Sequence, residues 1–97
     1  MKFFWSRRSR RDMRSIERYL QKHAPQYSST IVSRIIAKAK VLESQPYFGS
    51  MVSEFEYEGL RELLLDSYRI IYRIDADDCV IVAVTHSSQN LPADLAE

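Results

Sequence analysis

The sequence predicts an α+β fold in which an antiparallel sheet of three to four strands carries a two-helix N-terminal hairpin packed on one face. The C-terminal half contains three short runs of β-branched, leucine and aromatic residues, separated by Asp and Ser turns. The N-terminal half contains two segments with apolar residues at helical spacing. A chain of 97 residues has the length of one domain, so we expect a single domain over residues 1–97.

Composition favours a globular protein in a reducing compartment. Hydrophobic residues make up 45% of the chain, and the single cysteine, Cys79, has no partner for an internal disulfide. The apolar start, Met1–Trp5, is too short for a signal peptide, and no run approaches the roughly 20 apolar residues of a membrane span. We therefore expect a cytoplasmic protein that does not contact a membrane.

Charge is divided sharply along the chain. Residues 1–42 contain eleven Lys and Arg and two acids, a net charge of +9, whereas residues 43–97 carry a net charge of −8. The predicted first helix presents a basic surface that includes Arg10, Arg11, Arg14 and Arg18. Two interpretations stay open: solvated helix faces, or a positive surface for an acidic protein or a nucleic-acid backbone.

The first elements are a short edge strand and a basic helix. Lys2–Trp5 has the composition of an edge strand, and Ser6 or Ser9 can cap a helix that runs to about His23. Its apolar stripe consists of Met13, Ile16 and Leu20. Arginines in the first turn oppose the helix dipole, which suggests that they are present for a reason other than helix stability.

A second helix should begin near Ser28–Thr30, after the break at Pro25, and run to about Glu43. Its apolar stripe can pack against that of the first helix and against the sheet; it consists of Ile31, Ile35, Ala39 and Leu42. A loop over Gln45–Ser50 follows, and alternation over Met51–Tyr57 predicts an extended segment.

The three strong strands are Leu60–Leu65, Tyr68–Ile74 and Cys79–Thr85, and both of their faces are apolar. The helical hairpin can cover one face, but the tail Asn90–Glu97 is expected to be too short to cover the other. The sequence therefore predicts an open apolar face that binds a partner. Its predicted residues are Arg69, Ile71, Arg73, Ile81 and Ala83.

Several motifs in this order resemble the ParE/RelE superfamily of bacterial toxins from type II toxin–antitoxin modules, some of which serve plasmid stabilisation. The motifs are Pro46-x-x-Gly49, Arg61-Glu62-Leu63, Tyr68-Arg69-Ile70 with Tyr72-Arg73, and Val84-x-His86-x-x-x-x-Leu91. The resemblance covers nearly the whole chain. It implies an antiparallel sheet with two helices on one face, and a cognate antitoxin that wraps the toxin and inserts into its grooves.

The superfamily contains two functional branches. RelE-like members cleave mRNA on the ribosome with Arg, Lys and a proton-transferring Tyr, His or Lys, whereas ParE-like members poison DNA gyrase. Arg69 matches an arginine position of RelE-like enzymes, but Ser87-Ser88-Gln89 stands where those enzymes carry basic residues. Carboxylates at 54, 56 and 58 replace their lysines and would repel an RNA phosphate.

The prediction is therefore a ParE-like toxin, a non-enzymatic inhibitor of DNA gyrase. The first alternative is a ribosome-dependent mRNA endonuclease that uses Arg69, Arg73 and His86, and the second is an inactive orphan binding module. We expect no cofactor and no metal, because the acids between Asp75 and Asp78 fit a hairpin turn better than a metal loop.

Overall fold

The computed structural model describes residues 2–95, apart from the side chains at 56–58. Its strands and helices have the following bounds: β1 Lys2–Trp5, α1 Arg7–His23, α2 Ser28–Lys40, β2 Ser50–Met51, β3 Leu60–Leu65, β4 Tyr68–Asp75 and β5 Asp78–His86. Short 3₁₀ turns lie at Pro25–Tyr27, Val41–Glu43 and Ser53–Glu58. Within this described part, no helix is both long and apolar enough to cross a membrane.

The α+β class is confirmed, but the sheet has five strands in the order β1-β5-β4-β3-β2. It is mixed rather than antiparallel, because β1 runs parallel to β5 while the other neighbours are antiparallel. Two-residue turns connect β3 to β4 and β4 to β5, and each turn has one residue at positive φ, Asp66 in the first and Ala76 in the second. The connection between the parallel strands β1 and β5 is long, because both helices and the other three strands lie between them in the chain.

The prediction of an extended segment over Met51–Tyr57 is wrong. Only Ser50–Met51 pairs with β3, and the chain then forms a 3₁₀ turn that ends at Gly59, whose φ is 80°. Val52 is fully buried and donates its N–H to the Leu60 carbonyl at 3.0 Å, so the chain doubles back over the sheet there. Glycine at position 59 permits the left-handed conformation that this return requires.

A β-bulge in β5 changes which side chains share a face. Ile71 lies opposite Ala83 and Tyr72 lies opposite Ile81, so Val82 has no partner on β4. One extra residue reverses the alternation along the rest of the strand. As a result Ile81 and Val84 lie on the helix side of the sheet, whereas Val80, Val82 and Ala83 lie on the other side.

Helix α1 completes the edge of β5 beyond the end of β1. Ser6 caps the helix by accepting the Ser9 N–H at 3.1 Å, and its own N–H donates to the Ile81 carbonyl at 2.9 Å. The Asp12 carboxylate then accepts the Val84 N–H at 2.9 Å. The bulged edge of β5 therefore receives its hydrogen bonds from side chains and loop backbone rather than from a strand.

Apolar clusters fill both faces of the sheet. The helix-side cluster joins α2 to β3, β4 and β5 through buried residues that include Ile35, Leu42, Ile70, Tyr72 and Ile81. The second cluster contains Val52, Leu60, Ile71, Val80, Val82, Ala83 and Leu95, with Phe55 and Leu91 packed against it. Both faces therefore have apolar cover from within the chain.

The Pro46-x-x-Gly49 motif anchors the loop before β2. The Gly49 N–H donates to the buried Tyr72 hydroxyl at 2.9 Å, and the Arg61 guanidinium donates to the Gly49 carbonyl at 2.8 Å. A Cβ at position 49 would lie 2.6 Å from both the Glu62 carbonyl oxygen and the Tyr72 hydroxyl. Glycine is required here because the loop backbone lies directly against β3 and β4.

Candidate functional site

A cleft of about 660 Å³ lies where α1 faces the ends of β4 and β5. The lining residues come from α1, from the adjacent strand ends and from the turn after β5. They are Asp12, Ser15, Ile16, Tyr19, Tyr68, Val84, His86, Ser88 and Gln89. The cleft forms because the last residues of β5 extend past β1, which ends at Trp5 opposite Ile81.

His86 is held in a fixed orientation at the edge of this cleft. The Ser88 N–H donates to His86 Nδ1 at 3.1 Å, and the Ser88 hydroxyl lies 2.7 Å from the same nitrogen. The ring packs edge-on against Tyr68, with the centroids 5.5 Å apart. Because Nδ1 accepts the Ser88 N–H, the neutral imidazole carries its proton on Nε2.

Two other titratable groups of the cleft, Tyr68 and Asp12, have shifted pKa values. Burial is the main reason why the pKa of Tyr68 is raised, with repulsion from Tyr19 as the smaller cause. Burial also raises the pKa of Asp12, against the opposing effect of its hydrogen bond from Val84. Tyr68 thus stays a phenol at neutral pH, and the Asp12 carboxylate is occupied by the backbone of β5.

The structure does not bring together the three residues proposed for a ribonuclease. Arg69 and Arg73 follow the parity of Ile71 and lie on the second face, whereas His86 packs on Tyr68 on the helix side. No Arg or Lys is among the residues that line the cleft. Cleavage of a phosphodiester requires cationic support at the phosphate beside the acid and base, and the two arginines of β4 do not lie where they could give that support beside His86.

Arg69 is instead the centre of an ion-pair cluster with Glu54 and Glu62. Its Nε and Nη2 donate to Glu62 at 2.9 Å, and its Nη1 and Nη2 donate to Glu54 at 2.9 and 3.0 Å. These hydrogen bonds raise the pKa of Arg69, and the bond from Arg69 lowers the pKa of Glu54 to about 2. Arg69 therefore ties the 3₁₀ turn at Ser53–Glu58 to β3 and β4.

The prediction of an open sheet face is wrong. Ile71, Ala83 and Ile81 are no more than 1% exposed, and the bulge at Val82 places Ile81 on the helix side. The 3₁₀ turn and the C-terminal residues cover the second face, through the side chains of Val52, Phe55, Leu91 and Leu95. Whether Arg69 or Arg73, which pairs with Asp75, contacts an antitoxin stays a prediction.

An exposed apolar groove lies instead between α1, α2 and the end of β1. Its volume is about 310 Å³, and it is lined by Trp5, Arg10, Met13, Arg14, Glu17, Val32 and Ile36. Ile36 is 49% exposed. The sequence pattern places Val32 and Ile36 beside the buried stripe of α2, and this offset is the signal that could have identified the groove.

The predicted basic surface is exposed as a whole, since the side chains of Arg10, Arg11, Arg14 and Arg18 on α1 are all exposed.

Cys79 is buried, and burial raises the pKa of its thiol, so it lacks the thiolate character of a reactive cysteine. Over residues 2–95, where side chains are described, no group of three His, Cys, Asp or Glu residues is arranged to hold a metal ion.

Comparison with known proteins agrees with this architecture. A sequence model of the ParE toxin of the type II toxin–antitoxin system parDE matches residues 3–91. The fold is similar to a solved chromosomal ParDE toxin–antitoxin system from P. aeruginosa, with a TM-score of 0.78 and 21% identity over 89% of this chain and 95% of the other. It is also similar to the toxin–antitoxin complex RelBE2 from Mycobacterium tuberculosis, with a TM-score of 0.62 and 24% identity over 91% of this chain and 92% of the other.

No sequence among curated proteins matches this chain. The match to the family model nevertheless covers both helices, four of the strands and all of β1 except Lys2. Each element that positions the cleft, the groove and the Arg69 cluster lies within the matched range. The chain belongs to the ParE toxin family of type II toxin–antitoxin systems.

Proposed function

We propose that this chain is a toxin that inhibits DNA gyrase without cleaving RNA, and that a cognate antitoxin neutralises it. The observation that carries the choice of target is the separation of Arg69 and Arg73 from the cleft of His86. The two arginines of β4 are engaged by carboxylates on the opposite face of the sheet. Without Arg69 and Arg73 beside it, His86 lacks the two cations that a ribonuclease mechanism would use to stabilise the charge that develops on a phosphate.

An antitoxin partner is supported by the two structural neighbours, which are described as a ParDE toxin–antitoxin system and a RelBE2 toxin–antitoxin complex. The apolar groove is the surface of this chain that suits such a partner. Trp5, Met13, Val32 and Ile36 supply apolar contact, and Arg10 and Arg14 lie at its edge. An antitoxin segment with apolar residues and carboxylates would lose apolar surface to the groove and pair its acids with the guanidinium groups.

The target assignment is tested with purified toxin in two parallel assays. We expect loss of plasmid supercoiling by gyrase, and intact mRNA on translating ribosomes by primer extension. Addition of the cognate antitoxin should restore supercoiling. Codon-position-specific cuts that disappear in His86→Ala, with gyrase unaffected, would show that the toxin is RelE-like, and no effect in either assay would identify an orphan binding module.

The antitoxin surface is tested by burying a charge in the groove. Ile36→Asp should weaken antitoxin binding by 100-fold or more, because an unpaired carboxylate would be desolvated in an apolar contact, at a cost of about 3 kcal/mol or more. Leu64→Asp is the matched control, since Leu64 is 62% exposed on β3, away from the groove. Equal affinity of the two variants for the antitoxin, measured by titration calorimetry, would exclude the groove as the antitoxin site.

A further inference from the structure

Helix α1 carries a continuous row of cationic side chains, which we name the arginine stripe. The stripe consists of Arg7, Arg11, Arg14, Arg18 and Lys22. Their spacings of four, three, four and four residues place all five within an arc of about 80° at 3.6 residues per turn. At a rise of about 1.5 Å per residue the row is about 22 Å long. It lies opposite the buried side of α1, on which Ser9 and Leu20 are located.

The stripe has no carboxylate of its own. All five side chains are exposed, and none forms an ion pair within the described part of the chain. The neighbouring Arg8 differs, because it points to the C-terminal residues and pairs with Asp94 at 3.0 Å. Positive charge is thus concentrated on the side of α1 that the rest of the chain leaves free.

Helix stability does not account for this arrangement. The first turn of α1 contains no acidic residue, and Arg7 is its first helical position. Cations at the N-terminus of a helix oppose the helix dipole by about 0.3–1 kcal/mol each. A row of like charges four residues apart is also mildly destabilising. The charges of the stripe therefore do not stabilise the fold, and they are suited to binding a ligand of high negative charge density.

The composition of the stripe favours a phosphate backbone over an acidic protein. Its arc contains no apolar side chain, whereas the buried centre of a protein–protein interface is apolar and depleted of charge. Interfaces with DNA are polar and strongly positive, and the guanidinium fork matches phosphate oxygens. The apolar groove beside α1 is a separate surface, and of the stripe residues only Arg14 lines it.

Helix geometry favours duplex DNA over RNA. The exposed residues of α1 cover about two thirds of its circumference at 3.6 residues per turn, and the major groove of B-DNA, about 12 Å wide, admits a helix. The deep, narrow major groove of duplex RNA does not. Single strands are bound by rows of aromatic side chains, whereas the exposed ring beside the stripe, Tyr19, already packs against His23, with the centroids 4.4 Å apart.

We propose that the arginine stripe binds the phosphate backbone of double-stranded DNA without sequence preference. A row of about 22 Å spans about six base pairs at 3.4 Å each. Contacts to phosphates fix position but carry no sequence information. This activity is separate from the proposed inhibition of gyrase and from antitoxin binding in the groove, and it can be measured without either partner.

The test is fluorescence anisotropy of a labelled 20-base-pair DNA duplex with the full chain, over a salt series. With five phosphate contacts we expect a slope of log K against log salt of about −4.5, or a loss of affinity of about 500-fold between 50 and 200 mM salt. The triple variant Arg11→Gln, Arg18→Gln and Lys22→Gln should reduce the slope to about −1.8 and that loss to about 12-fold. These three residues lie outside the apolar groove.

The matched control removes the same net charge from α2. It combines Arg34→Gln, Lys38→Gln and Lys40→Gln, and we expect its slope to stay within one unit of the original value. Both variants should keep the melting temperature of the parent chain within a few degrees, because all the altered side chains lie on helix surfaces. Equal slopes for the two triple variants would overturn the proposal, since binding would then follow net charge alone. Tighter binding of an RNA duplex, of single-stranded RNA or of poly-glutamate than of DNA would overturn it as well.

Discussion

The arginines of α1 and the arginines of β4 differ in what the fold supplies around them. Arg69 is only 12% exposed and has two carboxylates within hydrogen-bond distance, so the chain itself neutralises it. Arg7, Arg11 and Arg18 are exposed and have no such carboxylate among the described residues. The same residue type therefore stabilises the fold in one region and is available to a partner in the other.

This comparison also explains the charge division along the chain. The acids of the C-terminal half are used within that half where they meet Arg69 and Arg73. Among the described residues, the ion pairs with the basic N-terminal half are the exposed pairs Arg34 with Asp66 and Arg8 with Asp94. Exposed pairs of this kind contribute about 0–1 kcal/mol, so the basic surface of α1 persists in the folded protein.

The largest expected effect comes from removing the centre of the carboxylate cluster. Arg69→Met should lower the free energy of unfolding by about 2–4 kcal/mol, because Glu62, whose side chain is 12% exposed, is left without its partner. Urea denaturation measures the change. Arg14→Met is the matched control on α1, for which we expect a change within about 0.5 kcal/mol.

A double substitution separates loss of the ion pair from loss of packing. In Arg69→Met with Glu62→Met, the uncompensated carboxylate is gone, so the double variant should be more stable than Arg69→Met alone. If Arg69→Met and Arg14→Met unfold at the same urea concentration, the distinction between the two groups of arginines fails.

A smaller effect should appear as a dependence on pH. The pKa of Glu54 in the folded protein is about 2, below its ordinary value of 4.5, so its pairing with Arg69 stabilises the fold fully above about pH 4.5. That contribution is lost as the pH falls towards 2. The difference in urea midpoint between the parent chain and Glu54→Gln should therefore be present at pH 6 and diminish progressively below pH 4.5. A difference independent of pH would mean that the carboxylate charge of Glu54 does not stabilise the fold.

The smallest effect has the opposite sign. Arg7→Glu places a carboxylate at the first helical position of α1, where it favours the helix dipole, and should stabilise the chain by about 0.3–1 kcal/mol. Thermal unfolding at low salt measures this gain, and Arg18→Glu, near the middle of the helix, should show none of it. A destabilised Arg7→Glu variant would indicate that the folded chain uses the charge of Arg7.

Much of the fold could be predicted from the sequence because it depends on local patterns. The strands β3, β4 and β5 were predicted to within two residues at each end, and the helix start at Ser6 follows from its capping hydroxyl. Arg69 and Glu62 lie across the same short hairpin, so their ion pair also joins residues that are close in the chain.

The errors concern features that distant segments decide together. The sequence by itself determined the type of each main element, because apolar periodicity and turn residues act over a few positions. Only the tertiary structure decided the parallel pairing of β1, the bulge at Val82 and the cover that Val52 and Leu95 give to the second face. It also decided that Glu54 reaches Arg69, whereas no residue of the arginine stripe forms an ion pair among the described residues. Burial and ion pairing depend on distances in space between residues far apart in the chain, and no local pattern encodes those distances.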